Sequence, residues 1–120
     1  MKKVLIVEDD FYVRNLYKMA FEKNGYLATE AENGEEALEK IKEEKFDLVT
    51  LDLMLPGISG IEVLEKIKGI IDAPVYILTN VGDDTILQEA IRKGARAYFL
   101  KVDFTPNQLV KAIEEKETTN

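Results

Sequence analysis

The chain has no cysteine and no histidine among its 120 residues. Without cysteine there is no disulfide framework, no thiolate zinc site and no sulfur nucleophile, which fits a reducing, cytoplasmic setting. Without histidine the Ser-His and Cys-His nucleophile pairs and imidazole metal sites are excluded. So is a phosphohistidine on this chain, and any phosphoryl group it carries must come from another molecule. A long hydrophobic run is also lacking. After Lys2-Lys3, only Val4 to Val7 precede Glu8, too few apolar residues for an export signal or a membrane span. Positive charge is in deficit, with a formal net charge of -7. That argues against nucleic acid as a direct ligand and suits a cation or a basic partner surface. Neither G-x-G-x-x-G nor G-x-x-x-x-G-K occurs, which removes the common nucleotide-binding loops.

What is present is an alternation. Short apolar runs, Val4 to Val7, Tyr26 to Ala31, Leu48 to Leu51, Val75 to Leu78 and Ala97 to Leu100, are separated by stretches at helical spacing. Val13, Leu16, Tyr17, Ala20 and Phe21 describe one apolar helix face. Shorter versions follow at Ala37, Leu38 and Ile41, at Ile61, Leu64 and Ile67, at Ile86, Leu87, Ala90 and Ile91, and at Leu109, Ala112 and Ile113. Gly25 and Gly94 stand where helices should stop, and Thr105-Pro106 reads as a cap followed by proline in the first turn. Five strand-helix units predict an α/β fold: a doubly wound, five-stranded parallel sheet of flavodoxin-like (βα)5 type, in the common order 2-1-3-4-5. One domain over residues 1–120 is expected, with the polar stretch 114–120 fraying. The charged faces around Glu35-Glu36, Glu39-Lys40 and Lys42-Glu43-Glu44 read as solvated surface.

In such a sheet, ligands bind beyond the carboxyl ends of the strands, at the switch point between the first and third. Glu8 and Asp9 follow the first apolar run, and Asp52 follows the third. Two carboxylates held together repel by roughly 4 kcal/mol at ~4 Å and an effective dielectric near ~20, so a cation must offset them. Mg²⁺ fits, because it takes one or two carboxylates and leaves positions for phosphate. Lys101 closes the fifth run and Thr79 the fourth, adding a fixed cation and a hydroxyl on the same rim. Each residue alone has a plainer reading: Glu8-Asp9 as a helix cap, Asp52 as a turn former, Thr79 as a strand residue, Lys101 as a solvated side chain. Their convergence on one rim favours phosphoryl transfer onto Asp52.

At these residues the sequence resembles the receiver domain of two-component response regulators, from about Lys3 to Ile113. The resemblance is carried by Val7-Glu8-Asp9-Asp10 with Arg14, by Leu51-Asp52-Leu53-Met54-Leu55-Pro56-Gly57-Ile58-Ser59-Gly60, by Leu78-Thr79, and by Gly94-Ala95 leading to Tyr98 and Lys101. It implies that Asp52 is the phosphoacceptor and that Glu8, Asp9, Asp52 and the Met54 backbone carbonyl hold Mg²⁺. Asp10 is left to cap the first helix. The resemblance also implies that Thr79 and Tyr98 form the switch and that Lys101 pairs with phosphate. The implied partners are a sensor histidine kinase or histidine phosphotransfer protein, and a downstream protein bound by the fourth helix, fifth strand and fifth helix. The protein is then a signalling switch rather than an enzyme, with no chemistry beyond its own phosphorylation and dephosphorylation. It would be a monomer or a weak phosphorylation-dependent dimer, acting alone or as one domain of a longer protein.

The sequence departs from the family pattern at two places. Asn80 stands where a small residue usually follows the threonine, and Val102 where proline usually follows the lysine in a cis peptide. A cis bond before a non-proline residue costs about 3 kcal/mol, so a trans bond and a less well aimed Lys101 are expected. These departures keep open a phosphorylation-independent interaction module of the same fold. An aspartate-nucleophile phosphatase is disfavoured, since Met54 occupies the place of its second aspartate. Met54 and Val81 are apolar and cannot orient an attacking water, so a long-lived acyl phosphate is expected.

Overall fold

The computed structural model describes residues 1–80 and 82–118. Five strands, β1 (Lys2–Val7), β2 (Tyr26–Ala31), β3 (Leu48–Leu51), β4 (Val75–Thr79) and β5 (Ala97–Leu100), alternate with five helices. The helices are α1 (Phe11–Lys23), α2 (Gly34–Glu43), α3 (Gly60–Ile67), α4 (Asp84–Arg92) and α5 (Pro106–Thr118). All pairings are parallel and the sheet order is β2-β1-β3-β4-β5, as the alternation predicted. β3, β4 and the second half of β1 are buried throughout because helices cover both faces, whereas the edge strand β2 carries Thr29 and Glu30 and is only partly buried. Leu5, Val7, Val49, Leu51 and Ile77 point to one side, against α2, α3 and α4. Val4, Ile6, Leu48, Tyr76 and Leu78 point to the other, against α1 and α5.

Local chemistry sets the helix boundaries. The Asp10 side chain accepts from the Tyr12 and Val13 amides and caps α1, as expected. Thr105 and Gln108 cap α5 reciprocally, each side chain accepting from the other's amide. Gly25 and Gly94 take positive φ, 92° and 116°, where α1 and α4 give way to strands.

One expectation needs correction. Leu16, assigned to the buried face of α1, is 50% exposed, and the buried positions are Arg14, Tyr17, Ala20 and Phe21. Periodicity locates a stripe, and the sheet covers less of it than the apolar residues span. The polar stretch from 114 is helical over its described part, where α5 continues through Thr118. Tyr76 Oη donates to Glu117, Arg96 pairs with Glu117 at 2.9 Å, and Tyr26 Oη donates to Glu114 at 3.5 Å. Those contacts tie the end of α5 to the sheet; residues 119 and 120 lie outside the described residues.

Candidate phosphorylation and metal site

Four strand ends meet on one rim. Glu8 follows β1 directly, Asp52 follows β3, Thr79 is the last residue of β4, and Lys101 follows β5. Because β1 and β3 are neighbours, the Asp52 amide donates to the Val7 carbonyl at 3.2 Å, which draws the two acidic strand ends together. One carboxylate oxygen from each of Glu8, Asp9 and Asp52 lies within 4.8 Å of the others. Glu8 and Asp52 are only 3% and 5% exposed and Thr79 is fully buried, while Asp9 lies open to solvent.

Lys101 offsets the repulsion. Its Nζ donates to Asp52 Oδ2 at 2.6 Å and also to Glu8 Oε1. The expectation that Val102 would misdirect Lys101 is therefore not met. No cis peptide occurs among the described residues, and a short 3-10 turn over Lys101–Asp103 carries the lysine to both carboxylates. Burial raises the Glu8 carboxyl above its ordinary value and outweighs the opposing pull of Lys101 and the Asp10 amide. For Lys101, burial would lower the value, but Asp52 and Glu8 together hold it above the ordinary one.

Backbone contacts fix the loop after β3. The Met54 amide donates to Asp52 Oδ1 at 3.0 Å, and the Gly60 amide to the Leu53 carbonyl at 3.0 Å. A side chain at position 60 would put its Cβ 2.4 Å from the Asp52 carbonyl oxygen, so glycine is required where α3 starts against this loop. Asn80 is exposed and lines the mouth of the site with Met54 and Lys101. Tyr98 is half-buried and pairs in register with Ile77. Strand alternation puts it on the same face as Thr79, toward α4. Val81, paired with Met54 in the expectation of a long-lived phosphate, lies outside the described residues.

All three ligand atoms in this cluster are carboxylate oxygens, which suits a hard divalent cation such as Mg²⁺. Sequence reasoning passed over two residues. Arg14, named only among the residues that carry the resemblance, is buried and donates to the Glu8 carbonyl at 2.8 Å. Glu35, read as solvated surface, accepts from the Ile58 amide at 3.1 Å and steadies the loop after Asp52. The signal for Arg14 was its place on the same helix face as Tyr17 and Phe21. Glu35 carried no sequence signal, since its partner lies 23 residues away in the chain.

Residues 4–114 match the response regulator receiver domain family. The chemotaxis protein CheY of Thermotoga maritima is 38% identical over 116 residues, covering 95% of this chain and 96% of that protein. The transcriptional regulatory protein ResD of Bacillus subtilis is 37% identical over 112 residues, 93% of this chain, but the match spans only 46% of ResD. A solved CheY-like receiver domain protein from Methanospirillum hungatei superposes with a TM-score of 0.89 at 30% identity, covering 100% of this chain and 99% of that one. With the rim described above, these likenesses establish that the chain belongs to the receiver domains of two-component response regulators, a family whose role is that of a phosphorylation switch.

Proposed function

We propose that this chain is a phosphorylation-activated switch in which Asp52 accepts a phosphoryl group from a phosphohistidine on a sensor histidine kinase or a histidine phosphotransfer protein. The observation that carries the reading is the Lys101 ammonium, 2.6 Å from Asp52 and also bonded to Glu8, at the open rim of the sheet. An Asp52 carboxylate oxygen attacks phosphorus. The P–N bond breaks, and its electron pair leaves with the imidazole nitrogen. Lys101 then pairs with the arriving phosphoryl oxygens, and the Thr79 hydroxyl donates to them. Glu8, Asp9, Asp52 and the Met54 carbonyl would hold Mg²⁺, which supplies charge neutralisation when bound. Tyr98, on the face that Thr79 shares, turns inward and alters the surface of α4, β5 and α5 that a downstream protein reads.

The donor must approach across the rim. Beside it, α1 presents Tyr12, Leu16 and Met19 to solvent as a stripe at four- and three-residue spacing. Such a stripe suits docking against a helix of the donor. The rest of the reading is a cytoplasmic protein that turns over nothing beyond its own acyl phosphate, monomeric or weakly dimeric when phosphorylated. No described helix is long and apolar enough to cross a membrane.

A second reading, an interaction module that works without phosphorylation, rests on Asn80 at the mouth of the site. Intact mass after incubation with phosphoramidate or acetyl phosphate and Mg²⁺ separates the two. One added phosphate that is lost in Asp52→Asn and in EDTA supports the switch. An absent adduct in the wild type, with Mg²⁺ still raising the melting temperature, supports the module.

A further inference from the structure

The peptide between Glu8 and Asp9 joins two members of the carboxylate cluster, and a residue outside the cluster holds its oxygen. Arg14 Nη1 donates to the Glu8 carbonyl at 2.8 Å, while Arg14 Nε donates to Glu30 Oε1 at 3.1 Å. The guanidinium carbon lies 5.6 Å from the centre of the Phe11 ring. Arg14 is 8% exposed, so its charge is tolerable only because these partners receive it. The other polar groups of Glu8 are engaged too. Its amide donates to the Ala31 carbonyl at 3.0 Å, and its carboxylate accepts from the Asp10 amide at 3.0 Å and from Lys101.

Asp9 differs from Glu8 in being exposed, so its aim depends on its backbone. A peptide group is planar, and fixing its oxygen fixes the direction in which the next Cα departs. We infer that Arg14 is a positioning residue for the metal site: by holding the Glu8 carbonyl against Glu30 and β2, it aims the Asp9 carboxylate at the cation. The inference rests on the metal reading given above.

Two other roles for Arg14 predict different signs. As a nearby positive charge it would repel Mg²⁺, and its removal would tighten binding. As a clip between α1 and β2 it would affect stability and leave the cation untouched. The test is calorimetric titration of Mg²⁺ into the wild type, Arg14→Lys and Arg14→Gln, with thermal unfolding of each in EDTA. Lysine keeps the charge but lacks the planar fork that reaches both acceptors. Both variants are expected to bind Mg²⁺ about tenfold more weakly, the usual loss when a group supporting a metal ligand is removed. Wild-type affinity in Arg14→Lys with tighter binding in Arg14→Gln would overturn the inference in favour of charge. Unchanged affinity with a lowered melting temperature would overturn it in favour of the clip.

Glu30→Asp is the second variant. It keeps the charge and withdraws the acceptor from Nε, and it should weaken Mg²⁺ in the same direction by a smaller factor. If the Arg14 variants do not fold, wild-type affinity in Glu30→Asp overturns the inference. A wild type that takes up no Mg²⁺ would overturn the metal reading itself, and this inference with it.

Discussion

Lys101 Nζ lies 2.6 Å from Asp52 Oδ2, although the two residues are 49 positions apart and leave strands that are not neighbours in the sheet. The contact spans β4, because the lysine side chain reaches back across the rim from the end of β5. It stabilises two buried carboxylates that would otherwise face each other without a countercharge.

Replacing Lys101 with alanine leaves Glu8 and Asp52 buried without their cation. Removing one member of such a pair costs about 3 kcal/mol. The variant should therefore melt well below the wild type in EDTA and recover more on addition of Mg²⁺ than the wild type does. Thermal unfolding with and without Mg²⁺ measures both effects, and equal Mg²⁺ responses would contradict the pairing.

Gly60→Ala sets a methyl group against backbone, 2.4 Å from the Asp52 carbonyl oxygen and 2.6 Å from the Leu53 Cα. Neither neighbour is a flexible side chain, so the loop after β3 must shift, at a cost of roughly 1–3 kcal/mol. Urea unfolding reads the loss of stability. Phosphorylation by phosphoramidate should slow as well, because Asp52 moves with its carbonyl.

Asn80→Ala removes bulk from the mouth of the site and should speed uptake of phosphate from a small donor. The time course of intact mass checks this. A slower uptake would mean that the Asn80 amide contacts the incoming phosphate instead of obstructing it.

Alkaline pH should destabilise the protein through its buried phenols. Burial pushes Tyr17 up to about 12, and it raises Tyr26 and Tyr76 with added contributions from the Glu114 and Glu117 carboxylates. As pH rises past 10, the ordinary phenol value, the unfolded chain loses these protons while the folded chain keeps them. The folded state then binds more protons, and stability falls with rising pH until the folded values are passed. Denaturant midpoints measured on either side of pH ~10 should show the decline, and Tyr76→Phe should flatten it.

The strands were legible because a parallel strand covered on both faces must be continuously apolar, as Val75-Tyr76-Ile77-Leu78 is. The helix breaks at Gly25 and Gly94 and the cap at Asp10 were legible because those positions are decided by local φ, ψ and hydrogen bonding. The exposure of Leu16 was not, because helical spacing gives the direction of a face and not the width that the sheet will cover. The helical course of α5 through Thr118 was hidden by its polar composition, since its anchors, Tyr26, Tyr76 and Arg96, come from distant parts of the chain.

The order of strands and helices and the kinds of side chain at the strand ends can be read residue by residue. Both follow from local periodicity and from residue chemistry that every position carries with it. How those strand ends meet is a matter of tertiary packing. It gathered Glu8, Asp9 and Asp52 within 4.8 Å, turned Lys101 onto two of them without a proline to guide it, and buried Arg14 against the Glu8 carbonyl. Such distances come from long-range strand pairing and helix packing, in which each contact depends on many residues at once and none is written in its own neighbourhood.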